Sequence, residues 1–165
     1  MAHSASAGNC QRIPSGWGFE SLRARFMEKR VFCWGSFDRL HKGHLEFLKD
    51  AKSGGSELFV IVIADKSVSE NKQKIPAQKQ SERARALLAS KIPDHVVEVG
   101  ENLAENLEKI AALKPDVFVF GYDQQTEIEE RLKEFLKAKG LKTEFVISRE
   151  FAGGIHSSRL AASFK

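Results

Sequence analysis

The chain of 165 residues has few cysteines and no long apolar run, and these two absences exclude several classes of protein. Its two cysteines, Cys10 and Cys33, are too few for a scaffold stapled by disulfides. No stretch approaches about 18 consecutive apolar residues, so we expect no membrane span. Neither a GxxxxGK[ST] loop nor a GxGxxG fingerprint is present. No basic segment precedes an apolar stretch near the N-terminus, so no secretory signal is predicted.

The composition is that of an ordinary globular domain, with 42% hydrophobic and 29% charged residues. The formal net charge of +4 is compatible with nucleic acid, an anionic membrane surface or a small phosphorylated ligand. Basic and aromatic residues do not cluster as nucleic-acid binding requires. We therefore expect a cytoplasmic protein that binds a small anionic ligand and neither nucleic acid nor a membrane.

Two regions are expected, an N-terminal extension over residues 1–30 and one domain over residues 31–165. Residues 1–16 are rich in Ser, Ala and Gly, and we predict a disordered or accessory N-terminus. Residues 17–30 carry three apolar side chains at helical spacing, so an amphipathic helix is predicted there. We interpret that helix as one packed on the outside of the domain, with a partner contact as the alternative.

From residue 31 onward, apolar runs typical of strands alternate with segments of helical periodicity. Strands are predicted at residues 31–35, 58–64, 96–99, 117–120 and 143–147. Helices are predicted at residues 43–52, 80–91, 102–113, 127–139 and 157–164. The alternation predicts a Rossmann-like three-layer α/β/α fold with a five-stranded parallel sheet. Ligands of such sheets bind outside the carboxyl ends of the strands, at the topological switch point.

The chemistry concentrates in residues 35–44, which read GSFDRLHKGH and link the first strand to the first helix. A helix N-terminus offers unpaired N–H groups and a positive dipole end, which suit a phosphate. Gly43 permits a close approach to the backbone, and His41 and His44 add donors. Asp38 is a candidate ligand for a divalent cation beside the phosphates. A chance pairing or a fragment of a metal site is the alternative for the two histidines.

Residues 35–44 resemble the GxFDxxHxGH signature of the cytidylyltransferase-like nucleotidyltransferases, part of the larger HxGH group. Further elements resemble the same family over about residues 30–165. A lysine-bearing loop is expected at residues 71–74, and Arg83 opens a helix. A Gly-x-Asp element occurs at residues 121–123, and a final helix is expected to begin at the serines of residues 156–158.

The resemblance implies nucleotidyl transfer, in which an acceptor phosphate attacks the α-phosphate of a nucleoside triphosphate and pyrophosphate leaves. It implies a Mg²⁺ ion, with Asp38 as a candidate ligand, and a homodimer. The catalytic residues it implies are His41, His44, Lys72 and Lys74. The nucleotide-binding residues it implies are Gly35, Ser36, Phe37, Asp38, Gly43, Arg83, Gly121, Asp123, Gln124, His156, Ser157 and Ser158.

Residues 115–124 and the His-Ser-Ser ending are most similar to archaeal-type FAD synthases, which adenylylate FMN with ATP. Glycerol-phosphate cytidylyltransferases share the first motif but usually show Gly-Asp-Asp-Trp where this chain has Gly-Tyr-Asp-Gln. Sugar-phosphate and phosphopantetheine adenylyltransferases also share the first motif and remain alternatives. A catalytically silent nucleotide-binding module is the alternative outside the enzymes, and the intact His41, His44, Ser157 and Ser158 argue against it.

Overall fold

The fold is known from a computed structural model that describes residues 29–121 and 127–148. Within these residues, strands and helices alternate with one exception, where two helices follow each other. The elements are β1 (Arg30–Gly35), α1 (Lys42–Lys52), β2 (Glu57–Val62), α2 (Asp65–Lys72), α3 (Gln80–Ala89), β3 (His95–Glu98), α4 (Leu103–Ala112), β4 (Val117–Phe120), α5 (Glu127–Ala138) and β5 (Glu144–Ile147).

The five strands form one sheet in the order β3-β2-β1-β4-β5, and every pair is parallel. The predicted five-stranded parallel sheet is confirmed. Strand β1 lies at its centre, and the chain progresses outward from it in one direction to β3 and in the other to β5. The switch point therefore falls between β1 and β4, whose carboxyl ends are neighbours.

Apolar side chains lie on both faces of the sheet, and helices pack on each face, as is typical of parallel sheets. On one face, Leu48 of α1 and Leu87 of α3 pack with Val31 and Cys33 of β1. On the other face, α4 and α5 pack against β1 and β4 through a second buried cluster. The predicted three-layer arrangement is confirmed. None of the helices in the described ranges is long and apolar enough to cross a membrane.

Apart from shifts of one or two residues at the ends of elements, three details differ from the predictions. Helix α2 was not predicted, because Val68 is its one buried apolar residue and the segment shows no apolar stripe. Residue 72 therefore ends a helix, whereas a loop was expected there. Arg30 belongs to β1, where its backbone N–H donates to Asp116 at 2.8 Å, so the expected first helix does not extend to residue 30. Residues 1–28 and the predicted helix at 157–164 lie outside the described residues.

Candidate active site

A tight corner, residues 36–41 (the signature loop), connects β1 to α1. Phe37 and Arg39 both adopt the left-handed backbone region, with φ of 49° and 52°. The buried Phe37 ring folds back on Gly35, where an added Cβ would lie 3.1 Å from that ring. Gly35 and Phe37 thus shape the corner, and their expected contact with a nucleotide stays a prediction.

The two histidines of the signature stack on each other at the start of α1. Their ring centroids are 3.7 Å apart, with 22° between the planes. His41 is the N-cap residue, and its Nδ1 accepts a hydrogen bond from the backbone N–H of His44 at 3.4 Å. A neutral imidazole that accepts at Nδ1 carries its proton on Nε2. The hydrogen bond therefore assigns Nε2 as the donor nitrogen of His41. Phe37 meets the His44 ring edge-on, with centroids 5.5 Å apart.

The beginning of α1 is suited electrostatically to an anion. Gly43 is buried between the two histidines, and the first turn of α1 contains no acidic residue. A carboxylate there would offset the positive end of the helix dipole, so its absence leaves that charge for a ligand. As predicted, this helix start lies at the carboxyl end of the central strand β1, beside the switch point.

Asp38 faces the residues that join α2 to α3, at positions 73–79 (the 73–79 segment). One carboxylate oxygen of Asp38 accepts from Ala77 N at 2.9 Å, and the other accepts from Gln78 N at 3.0 Å. Both oxygens thus bind backbone donors, so Asp38 ties two loops together. In residues 29–121 and 127–148, no three His, Cys, Asp or Glu side chains are grouped as a metal site. The described residues therefore form no protein cage for Mg²⁺, and the role of Asp38 as a cation ligand stays a prediction.

The guanidinium of Arg83 is fully buried, although the resemblance implied a contact with nucleotide phosphate. It donates to the carbonyl oxygens of Ser36 at 2.6 Å, Ile63 at 2.9 Å and Gln78 at 3.2 Å, and to Asp65 Oδ1 at 2.5 Å. Each of its described contacts is therefore with protein. The buried charge is stabilised by these acceptors and fixes the loops that follow β1 and β2. A direct contact with phosphate stays a prediction.

The remaining predicted residues divide between those near this corner and those outside the described ranges. Lys74 is exposed on the 73–79 segment, which Asp38 ties to the signature loop. Lys72 ends α2, and Gly121 directly follows β4 at the switch point. Of the six implied residues from position 121 onward, only Gly121 lies within the described ranges. The residues outside the described ranges are Asp123, Gln124, His156, Ser157 and Ser158.

Sequence reasoning missed three polar residues that hold this region together. Asp65 receives the Arg83 guanidinium, and Gln78 contacts both the signature loop and Arg83. The Gln80 amide donates at 2.8 Å to the carbonyl oxygens of Val62 and Val99, joining the ends of β2 and β3. No pattern in the sequence marks these residues. The partners of Asp65 and Gln80 are 18 or more positions away, and Arg39, the partner of the Gln78 side chain, is 39 positions away.

Comparison with known proteins identifies the class of protein that this fold and corner define. The cytidylyltransferase-like family model matches residues 32–162, and the chain belongs to that family. The predicted family membership is therefore confirmed.

The curated relatives are more specific. The chain is 44% identical over 117 residues to the FAD synthase of Thermococcus sibiricus, a match that covers 71% of this chain and 78% of that protein. It is 40% identical over 120 residues to the FAD synthase of Ferroglobus placidus, covering 72% and 74% of the two chains.

Solved structures agree on the fold. A lipopolysaccharide core biosynthesis protein from Thermoplasma volcanium is 31% identical with a TM-score of 0.66, covering 74% of this chain and 98% of that one. Pantoate-beta-alanine ligase from Francisella tularensis, 19% identical with a TM-score of 0.56, covers 87% of this chain and 69% of its own, and the likeness shows the fold alone.

Proposed function

We propose that this protein is an adenylyltransferase that makes FAD from FMN and ATP, with release of pyrophosphate. The observation that carries the proposal is the set of FAD synthases that are 38–44% identical to it across most of their length. The stacked histidines at the start of α1 support it. They lie at the carboxyl ends of the strands, where such sheets bind ligands, and their hydrogen-bond donors suit the phosphate that is transferred.

In the proposed reaction, a phosphate oxygen of FMN attacks the α-phosphorus of ATP in line. The new P–O bond joins FMN to AMP, the bond between the α-phosphorus and the bridging oxygen breaks, and pyrophosphate leaves with that electron pair. No covalent enzyme intermediate is required. Catalysis then consists of orienting the two phosphates and stabilising the charge that develops between them.

The side chains at the α1 N-terminus are assigned to the reacting phosphate. His41 and His44 lie at the positive end of α1, where hydrogen-bond donors and the helix dipole favour an anion. The neutral tautomer of His41 offers an Nε2–H donor without an added charge. Gly43 lies between the two histidines in sequence and adds no side chain of its own to that helix start.

The other phosphates and the nucleotide are assigned to residues that the family resemblance implies. Lys72 and Lys74 neutralise charge on the triphosphate or on FMN. Gly121, Asp123 and Gln124 contact the nucleotide from beyond β4, and His156 also contacts it. Ser157 and Ser158 hold the β- and γ-phosphates. The catalytic domain in this proposal begins with β1, one residue before the predicted boundary at residue 31, and the residues before β1 form an extension to it.

The substrate is proposed to be the Mg²⁺ complex of ATP. Mg²⁺ is commonly held by substrate phosphates, several waters and one or two carboxylates. Because both Asp38 oxygens already accept hydrogen bonds from Ala77 and Gln78, the substrate phosphates and waters supply most of the Mg²⁺ ligands in this proposal. We further propose a cytoplasmic homodimer with no nucleic-acid or membrane partner.

A pyrophosphate-release assay with crossed substrates tests the proposal. ATP and CTP would each be combined with FMN, glycerol 3-phosphate, a sugar 1-phosphate and phosphopantetheine. We expect release with ATP and FMN, and FAD as the second product. Release only with CTP and glycerol 3-phosphate, or with another acceptor, would replace FAD synthesis with that reaction. Nucleotide binding without release in any combination would indicate a silent binding module.

A further inference from the structure

Gln78 is placed at a reciprocal contact between two loops that flank the proposed phosphate site. Its backbone N–H donates to Asp38 at 3.0 Å, while its side-chain Oε1 accepts from the backbone N–H of Arg39 at 3.0 Å. Its carbonyl oxygen accepts from the Nε of Arg83 at 3.2 Å. Three separate groups of one residue therefore hold the signature loop, the 73–79 segment and the buried guanidinium together.

The side-chain bond has a specific task on the signature loop. Arg39 has a positive φ of 52°, a region that a residue with a side chain adopts at some cost. The Gln78 Oε1 satisfies the N–H of this unfavourable residue, two positions before His41. The bond therefore helps to set the direction in which the chain enters α1 and presents the histidine pair.

The same contact anchors the segment that carries a charged residue, Lys74. Lys74 is exposed on the 73–79 segment and lies four positions before Gln78. Helix α2 ends at Lys72, and α3 begins at Gln80, so the segment between them depends on side-chain contacts for its position. Three hydrogen bonds anchor one end of it: Ala77 N–H and Gln78 N–H donate to Asp38, and Arg39 N–H donates to the Gln78 side chain.

We propose that Gln78 is a positioning residue for nucleotidyl transfer, a latch that fixes the Lys74-bearing segment against the signature loop. The proposal rests on the proposed function, since it concerns how two loops of that same site are positioned relative to each other. Gln78 itself touches no reacting atom in this account. Its contribution is geometric, and misplacement of a catalytic group by about 1 Å can lower a rate by about two orders of magnitude.

Two substitutions at position 78 separate the latch from general stability. Gln78→Met keeps the length of the side chain and removes the acceptor for Arg39 N–H. Gln78→Glu keeps an acceptor oxygen at the same place. We expect Gln78→Met to lower kcat about tenfold or more with KM for ATP changed far less, and Gln78→Glu to recover most of the lost kcat.

Asn106 provides a matched control, because its amide makes a similar loop contact away from the switch point. Asn106 Oδ1 accepts from Gly100 N at 3.0 Å, and its Nδ2 donates to Gly100 O at 2.8 Å. Asn106→Leu removes these bonds beside β3, two strands from β1. We expect it to lower the melting temperature at least as much as Gln78→Met does, with kcat unchanged.

Amide hydrogen exchange gives a readout that does not depend on activity. The Arg39 amide is expected to be protected in the wild-type chain and to exchange at least about tenfold faster in Gln78→Met. Wild-type kcat in an active Gln78→Met variant, or equal losses of kcat in Gln78→Met and Asn106→Leu, would overturn the proposal. An inactive wild-type chain would overturn the proposed function and with it the positioning role, whereas exchange at Arg39 would still report whether the latch forms.

Discussion

The guanidinium of Arg83 donates a 2.6 Å hydrogen bond to the carbonyl oxygen of Ser36, so a residue of α3 holds the first residue of the signature loop. Both residues are buried, and they are 47 positions apart in the chain. The buried guanidinium of Arg83 thus supports the corner that presents His41 and His44. The resemblance implies that Arg83 contacts phosphate, whereas its observed contacts support the signature loop. These two roles are tested by different experiments.

Replacement of Arg83 by methionine tests the structural role. The variant leaves the buried carbonyl of Ser36 and those of two further residues without their donor, and we expect a loss of at least about 2 kcal/mol in the free energy of unfolding. Urea unfolding followed by circular dichroism measures it. Arg85 is exposed on the same helix, so Arg85→Met is the control and is expected to change stability little. Unchanged stability in Arg83→Met would contradict the assignment.

Replacement of Asp38 by asparagine distinguishes a tie between loops from a cation ligand. The amide NH₂ would face one of the two backbone donors, Ala77 N–H or Gln78 N–H, and one bond would be lost. We expect reduced activity that added Mg²⁺ does not restore, and faster amide exchange at position 77 or 78. Recovery of wild-type turnover at high Mg²⁺ concentration would instead identify Asp38 as a cation ligand.

The thiol of Cys33 is predicted to be inert in the folded protein. Cys33 is fully buried in the centre of β1, and burial raises the pKa of its thiol far above the ordinary range. In a Cys10→Ser background, we expect iodoacetamide at neutral pH to label Cys33 in urea and not in native buffer. Native labelling at the rate seen in urea would show that β1 is accessible.

The pair formed by Asp94 and Lys52 is expected to make a small contribution to stability that depends on pH. Partial burial opposes a charge on Asp94, but hydrogen bonds from Lys52 and from Leu58 N–H outweigh it and hold the pKa of that carboxyl below its usual value. A lowered pKa stabilises the fold above about pH 4 and ceases to do so as the pH falls through the folded pKa.

Thermal unfolding of Asp94→Asn across acidic pH measures this contribution. We expect the difference from wild type to be present at pH 7 and to vanish as the pH falls well below the ordinary value for Asp. Because the side chain of Asp94 is 37% exposed, the difference at pH 7 should stay below about 1 kcal/mol for the ion pair itself. A difference that grew on acidification would contradict the assigned direction of the pKa.

Local pattern was sufficient to predict the sheet and the position of the signature loop. The strands were predictable because runs such as residues 58–62 are apolar on both faces, and the helical spacing of apolar residues after Gly43 marks α1. Helix α2 was not predictable from hydrophobic periodicity, since it buries little. Arg83 bonds to Ser36, and the Gln78 side chain bonds to Arg39. Each pair is far apart in sequence, so no local pattern encodes either contact.

The measurement that tests the central claim most directly is FAD formation from ATP and FMN by the wild-type chain and by His44→Ala. His95→Ala is the control, because His95 stands exposed at the amino end of β3, stacked on Phe59. With near-ultraviolet circular dichroism unchanged, we predict that FAD forms in the wild type and in His95→Ala, and that His44→Ala loses about two or more orders of magnitude in turnover. Turnover by His44→Ala equal to that of the wild type would contradict a reaction at the signature loop, and no FAD from the wild type would contradict the reaction itself.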